Sequence, residues 1–138
     1  MKQYKAVLID WDDTIGDFIG AAKLALQEMY DKYHLSDYFA SHEEFVSLYK
    51  PHNIELWDKY GKDLVTKAFL RVDRFLWPLL HGSKVSPQIQ SYTTLYNSTP
   101  LYTTLTALAE QMSEDFLHLT TAHFSLLEGA EALVRYLA

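Results

Sequence analysis

The fold that this sequence predicts is a predominantly α-helical chain with a single strand at its beginning, and three observations predict it. Apolar side chains recur at three- and four-residue steps through most of the 138 residues, the signature of helices that bury one face. One continuous aliphatic run, Ala6-Val7-Leu8-Ile9, is stopped at once by Asp10 and reads as a strand buried on both faces, the kind found inside parallel sheets. No second convincing strand follows, so this one has no partner within the chain.

The elements follow in order. Residues 4 to 10 read as the strand and 11 to 15 as a turn. Phe18, Ala22, Leu26, Met29, Tyr30 and Tyr33 trace the apolar face of a first helix ending near His34. Ser41 with Glu44 three residues on has the capping-box pattern, and Phe45, Leu48 and Tyr49 supply the face of a second helix. Pro51 should kink or end that helix, because it lacks an N–H and crowds the preceding turn. Leu56, Trp57 and Tyr60 continue a helical face that Gly61 can close in a left-handed cap. Thr66 is placed to cap a third helix carrying Phe69, Val72 and Leu76, which Pro78 bends and His81-Gly82 ends. Thr99-Pro100 is a capping hydroxyl followed by proline at the first helical position, and Leu101, Leu105, Leu108, Met112, Phe116 and Leu119 form that helix's face. After a Thr/His-rich bend, Ala130 to Leu137 reads as a short amphipathic helix.

Composition narrows the functional classes. Hydrophobic residues make up 49% and aromatics 14%, which is globular and excludes disorder. Twelve Lys+Arg against eighteen Asp+Glu give a net charge of −6 with no basic stripe, so nucleic acid is not an expected partner. The absence of Cys excludes disulfides, thiolate zinc sites and thiol catalysis. The aliphatic run is too short for a signal sequence or a membrane span, and a cytoplasmic location is expected. Between Phe75 and Ala109 the one charged residue is Lys84, and Tyr-Thr-Thr-Leu occurs at Tyr92–Leu95 and again at Tyr102–Leu105. Ten residues is not a whole number of helical turns, so the duplication reads as chance in a Ser/Thr/Tyr-rich stretch, with an interaction surface as the minority reading. Asn97-Ser98-Thr99 has the form of a glycosylation site but reads as an ordinary loop or cap.

Candidate chemistry concentrates at the end of the strand. Asp10, Asp12, Asp13 and Thr14 stand where ligand sites gather in open α/β sheets. Residues two apart in an extended segment face the same side, so Asp10 and Asp12 can divide the work of nucleophile and proton donor. Asp and Thr after a strand also serve as turn formers and caps, and the local string does not choose between these readings. A calcium loop fails, with Ile15 where glycine and Ala21 where glutamate are needed. The six His residues show no paired metal-ligand spacing, and neither a glycine-rich phosphate loop nor a nucleophile elbow is present.

Ala6-Val7-Leu8-Ile9-Asp10-Trp11-Asp12-Asp13-Thr14-Ile15 resembles motif I of the haloacid dehalogenase superfamily, a hydrophobic strand followed by D-x-D-x-T. The continuation through Gly16-Asp17-Phe18 looks like members with a helical cap inserted after that motif. Asn53-Ile54-Glu55-Leu56-Trp57, Tyr60-Gly61, Thr66 and Arg74-Phe75 are similar to the caps of pyrimidine-type 5′-nucleotidases. Glu128-Gly129-Ala130, followed by Leu133 and Leu137, resembles the segment returning to the core. The resemblance implies an α/β, Rossmann-like core: residues 1–15 its first strand and motif loop, 16–122 the helical cap, and 123–138 the return to the core.

The resemblance also implies a magnesium-dependent phosphatase acting on a small phosphorylated metabolite, with a nucleoside monophosphate leading and a sugar phosphate second. In that family's terms Asp10 is the nucleophile that forms an aspartyl phosphate. Asp12 protonates the leaving oxygen and then activates water. Asp10 through its carboxylate and Asp12 through its carbonyl hold Mg²⁺, and Trp11, Asp13 and Thr14 shape the phosphate loop. Phe18 and Trp57 could stack on a base, although rings at such positions usually belong to a helix core. The family's Ser/Thr, Lys and further acidic motifs have no counterpart in the sequence, so an N-terminal portion of a phosphatase is expected. A phosphomutase, or a non-catalytic binding module derived from a cap, is the alternative. Taken alone, the chain is expected to be inactive and either to self-associate through its unpaired strand or to cover it with helices.

Overall fold

The computed structural model describes residues 6–89 and 99–137. Its elements are α1 (Phe18–Lys32), a 3₁₀ turn (Leu35–Asp37), α2 (His42–Gly61), α3 (Lys67–His81), the single turn α4 (Ser86–Ile89), α5 (Pro100–Ala122) and α6 (Ala130–Leu137). Helix α5 packs against both α3 and α1, and α2 packs against α3. Met29 and Phe39 meet Phe45, Phe75, Leu79, Leu105, Met112 and Phe116 in one core. Aromatic rings join the layers: Tyr49 stacks on Phe75 at 5.3 Å, and Phe75 meets Phe116 edge-on at 5.6 Å.

Caps set the helix starts. The Asp17 carboxylate accepts from the Gly20 N–H at 2.8 Å to open α1. Ser41 opens α2, Thr66 opens α3 and Thr99 opens α5, each hydroxyl accepting from the N–H three residues on. Glu44, beside the Ser41 cap, accepts from the N–H groups of Ala40 and Ser83 and from the Ser83 hydroxyl, tying the start of α2 to the end of α3. Gly82 lies against that junction, where a Cβ would sit 2.5 Å from the Tyr38 carbonyl oxygen.

Two sequence expectations give way. Pro51 does not end α2, which runs through it to Gly61. The residues on both sides of the proline, Phe45 and Tyr49 before it and Leu56 after it, are buried, and packing of that kind outweighs a missing helical bond. The Ser47 carbonyl that loses its donor belongs to an exposed residue, where water can reach it. Pro78 lies inside α3, which ends at His81 with Gly82 as its cap, as the sequence predicts. Gly61 is not the left-handed residue after α2; Asp63 is, at φ +56°, as the short polar side chain of Asp allows.

The strand also fails to form over the described residues. Residues 6–10 are exposed, Leu8 at 98%, and pair with no other segment there; Tyr4 lies outside the described residues. A strand is held by its neighbours, and the described residues offer none to receive this one. What pairing exists is local: Gly16 pairs with Leu126 and Asp12 with Gly16. The described architecture is therefore helical. The Tyr92–Leu95 copy of the repeated tetrad and Asn97-Ser98 lie outside the described residues; the second copy is part of α5, with Leu105 buried in the core.

Candidate functional site at the acidic loop

The residues singled out from the sequence form a tight turn clamped to the return segment. The Trp11 carbonyl accepts from the N–H groups of Ile15 (3.0 Å) and Gly16 (2.9 Å), and Asp13 donates to the Gly16 carbonyl at 2.8 Å. Asp13 is left-handed, at φ +55°, and its carboxylate accepts from the Ile19 N–H at 2.8 Å, so its observed bonds are those of a turn former at the start of α1. Thr14 donates its hydroxyl to the Asp10 carboxylate at 3.2 Å. Trp11 stacks flat on Phe124 at 5.6 Å, and two backbone bonds, Leu127 to the Ile15 carbonyl and Asp17 to the Ser125 carbonyl, 2.9 Å each, fasten the turn to residues 125–127.

A cavity of about 450 Å³ opens beside this turn, with Asp12, Phe18, Lys23, Asn53, Trp57 and Arg74 among its walls. It thus unites three residues chosen from the sequence, Asp12, Phe18 and Trp57, that lie far apart in the chain. The two rings are not core: Phe18 is 38% and Trp57 45% exposed. Asp10 is exposed and is not one of the lining residues. Trp11 and Asp12 also line a shallower hollow of about 310 Å³ with Phe124.

Sequence reasoning gave Arg74 no role in this cavity. The side chain is only 5% exposed, with its guanidinium over the rings of Phe75 (5.1 Å) and Phe116 (4.6 Å). Nε donates to the Arg71 carbonyl at 3.3 Å, while one terminal nitrogen has no hydrogen-bond partner. Burial pulls the Arg74 pKa below its ordinary value, and the neighbouring Tyr49 hydroxyl opposes that pull. The same burial raises the Tyr49 pKa, against the effect of Arg74, so the phenol stays neutral. The available sequence signal was an arginine four residues after Leu70 on the buried stripe of α3, where a solvated charge has no place.

Among the described residues no three His, Asp or Glu side chains are grouped to hold a metal ion. The chemistry of the loop nonetheless suits Mg²⁺, which takes oxygen donors, is often held by one or two carboxylates, and keeps several waters. Two of the histidines link separate elements: His52 meets Asp73 at 2.8 Å and His123 meets Glu28 at 2.8 Å. No helix among the described residues is long and apolar enough to cross a membrane. In comparisons with known proteins, no family profile and no curated sequence matches the chain.

Proposed function

We propose that the protein handles phosphate monoesters in the manner of a haloacid-dehalogenase-type phosphatase, with the acidic loop as its reacting centre and the helical block as a cap. The observation that carries this reading is the single cavity in which Asp12 faces Phe18, Trp57 and Arg74. It sets a proton-handling carboxylate against aromatic and cationic walls suited to a phosphorylated, partly planar substrate, and a nucleoside monophosphate is the leading choice.

In this reading the Asp10 carboxylate attacks phosphorus and the P–O bond to the alcohol breaks. Asp12 gives its proton to the departing oxygen and then takes one from the water that cleaves the acyl phosphate, releasing inorganic phosphate. Thr14 holds the Asp10 side chain through its hydroxyl. Asp10 and the Asp12 carbonyl would hold Mg²⁺, which when bound offsets the repulsion between carboxylate and phosphate.

The test is turnover of p-nitrophenyl phosphate and a panel of nucleotides and sugar phosphates with Mg²⁺, by the chain in the company of the Ser/Thr, Lys and further acidic motifs that the family resemblance calls for, beside Asp10→Asn. The variant should lose turnover by about 10³-fold or more, since nucleophile and metal ligand go together, and should no longer be trapped by beryllium fluoride. Equal turnover by variant and parent refutes the assignment of Asp10. A second reading, a cap-derived binding module without catalysis, is favoured by the exposure of Asp10 outside the cavity; ligand binding without Asp10-dependent turnover identifies it.

A further inference from the structure

We propose that the cavity between α1, α2 and α3 is an oxyanion-binding site built by the helical block itself, with Arg74 as its central ligand and Lys23 and Lys50 as supporting charges. The argument starts from charge. Three cationic side chains, Lys23, Lys50 and Arg74, line a space whose sole acidic wall residue is Asp12, in a chain of net charge −6. None of the three is ion-paired to a carboxylate among the described residues.

Burial makes the case specific to Arg74. An exposed lysine without a partner is solvated and asks for nothing, but a guanidinium 5% exposed has given up its water, and a buried charge without a counterion is strongly unfavourable. Two aromatic faces and the Tyr49 hydroxyl compensate in part. They leave a terminal nitrogen with no acceptor, although arginine cannot escape by deprotonating. A planar, donor-rich group held in a cavity wall with a donor unused is the arrangement that receives phosphate or carboxylate oxygens.

Asn53, in the same wall, has its side-chain oxygen buried and unpartnered. It can accept from a hydroxyl, including that of a phosphate monoanion. Trp57, 45% exposed, gives the rest of the ligand a flat apolar surface. The ligand class is therefore an oxyanion, phosphate or carboxylate, on a molecule that also carries a hydrogen-bond donor.

The proposal shares its cavity with the phosphatase reading but does not depend on turnover. The experiment is calorimetric titration of the 138-residue protein with inorganic phosphate at constant ionic strength. Saturable binding of one phosphate is expected. Arg74→Met should weaken it by about tenfold or more, and Arg74→Lys by less, since a charged hydrogen bond is lost in the first and partly kept in the second. Circular dichroism reports whether the variants keep their helices. Should Arg74→Met not fold, the exposed pair Lys23→Gln and Lys50→Gln takes its place, with an expected weakening of about threefold to tenfold.

Two sources of the oxyanion are separated by Asp12→Asn and by 2-phosphoglycolate. If Arg74 holds the phosphoryl group that reacts, Asp12→Asn tightens phosphate binding and the extra carboxylate adds nothing. If Arg74 holds a second acid group of the substrate, phosphoglycolate binds more tightly than phosphate and loses that advantage in Arg74→Lys. The proposal is overturned if the parent protein shows no saturable phosphate binding, or if its binding is unaffected by the Arg74 and lysine substitutions. Phosphate binding by the chain, with no turnover even in the company of the family's remaining motifs, would sink the phosphatase reading and leave this one standing.

Discussion

Replacing Glu44 with Gln should lower stability at neutral pH by about 1–2 kcal/mol, taking hydrogen bonds to a charged group at about 1.5–3 kcal/mol each when shielded and discounting for partial exposure. The carboxylate accepts from the Ala40 N–H at 2.5 Å, the Ser83 N–H at 2.8 Å and the Ser83 hydroxyl at 2.9 Å. Gln retains one acceptor oxygen but neither the charge nor the second acceptor. Burial raises the Glu44 pKa, yet the bonds from Ala40 and Ser83, helped by Lys84, outweigh it, and the net displacement is below the ordinary value of 4.5. A carboxyl whose folded-state pKa is depressed stabilises the fold fully above its unfolded pKa and loses that contribution as pH falls through the folded value. The difference between parent and Glu44→Gln should therefore be full at pH 7 and close as the solution is acidified below the ordinary glutamate range. Urea unfolding reads it directly: with a slope of about 1–3 kcal/mol per molar, the midpoint should fall by about 0.3–2 M at neutral pH. An equal gap at pH 7 and in acid, or none at pH 7, would refute the role assigned to the charge.

Other substitutions test separate parts of the fold. Gly82→Ala should cost about 1–3 kcal/mol, because its Cβ meets the Tyr38 carbonyl, whereas Gly61→Ala, with nothing within 4 Å, should be neutral or stabilising by up to about 1 kcal/mol; calorimetric melting ranks the two. Pro51→Ala restores an N–H inside α2 and should raise stability by about 1 kcal/mol or more, a result that a lower melting temperature would contradict. Tyr33→Phe removes a 2.6 Å bond to Asp115 between α1 and α5 and should cost about 1 kcal/mol. Burial and Asp115 hold the Tyr33 phenol well above its ordinary pKa, so spectrophotometric titration should find this tyrosine still protonated where exposed ones ionise.

The helices were legible where periodicity and caps agreed. Thr66, Thr99-Pro100 and Ser41 with Glu44 each mark a helix start by chemistry local to a few residues. Pro51 misled because its penalty is local while the packing of Tyr49 and Leu56 on either side is not. The strand misled in the opposite sense: Val7-Leu8-Ile9 has the right composition, but pairing is a property of two segments, and the described residues supply no second one. At the site, the sequence pointed to Asp12, Phe18 and Trp57, which share a cavity, and to Asp10, which lies outside it. Arg74 escaped because burial of a charge depends on how α3 meets α5. No local pattern reports that a guanidinium rests over Phe116, 42 positions away in numbering.

The bonds that join Ile15 to Leu127 and Asp17 to Ser125 bring the two ends of the helical block side by side. The block is therefore topologically self-contained, a closed loop whose two ends emerge together. Units of this kind can be spliced into a surface turn of another fold with little disturbance to the host, because the host has only to span the width of one paired bridge. By the same token, the block should tolerate circular permutation, with Gly16 and Leu126 joined through a short turn and new termini opened at an exposed bend such as Lys62-Asp63. Its core would remain intact while the acidic loop is cut free of it.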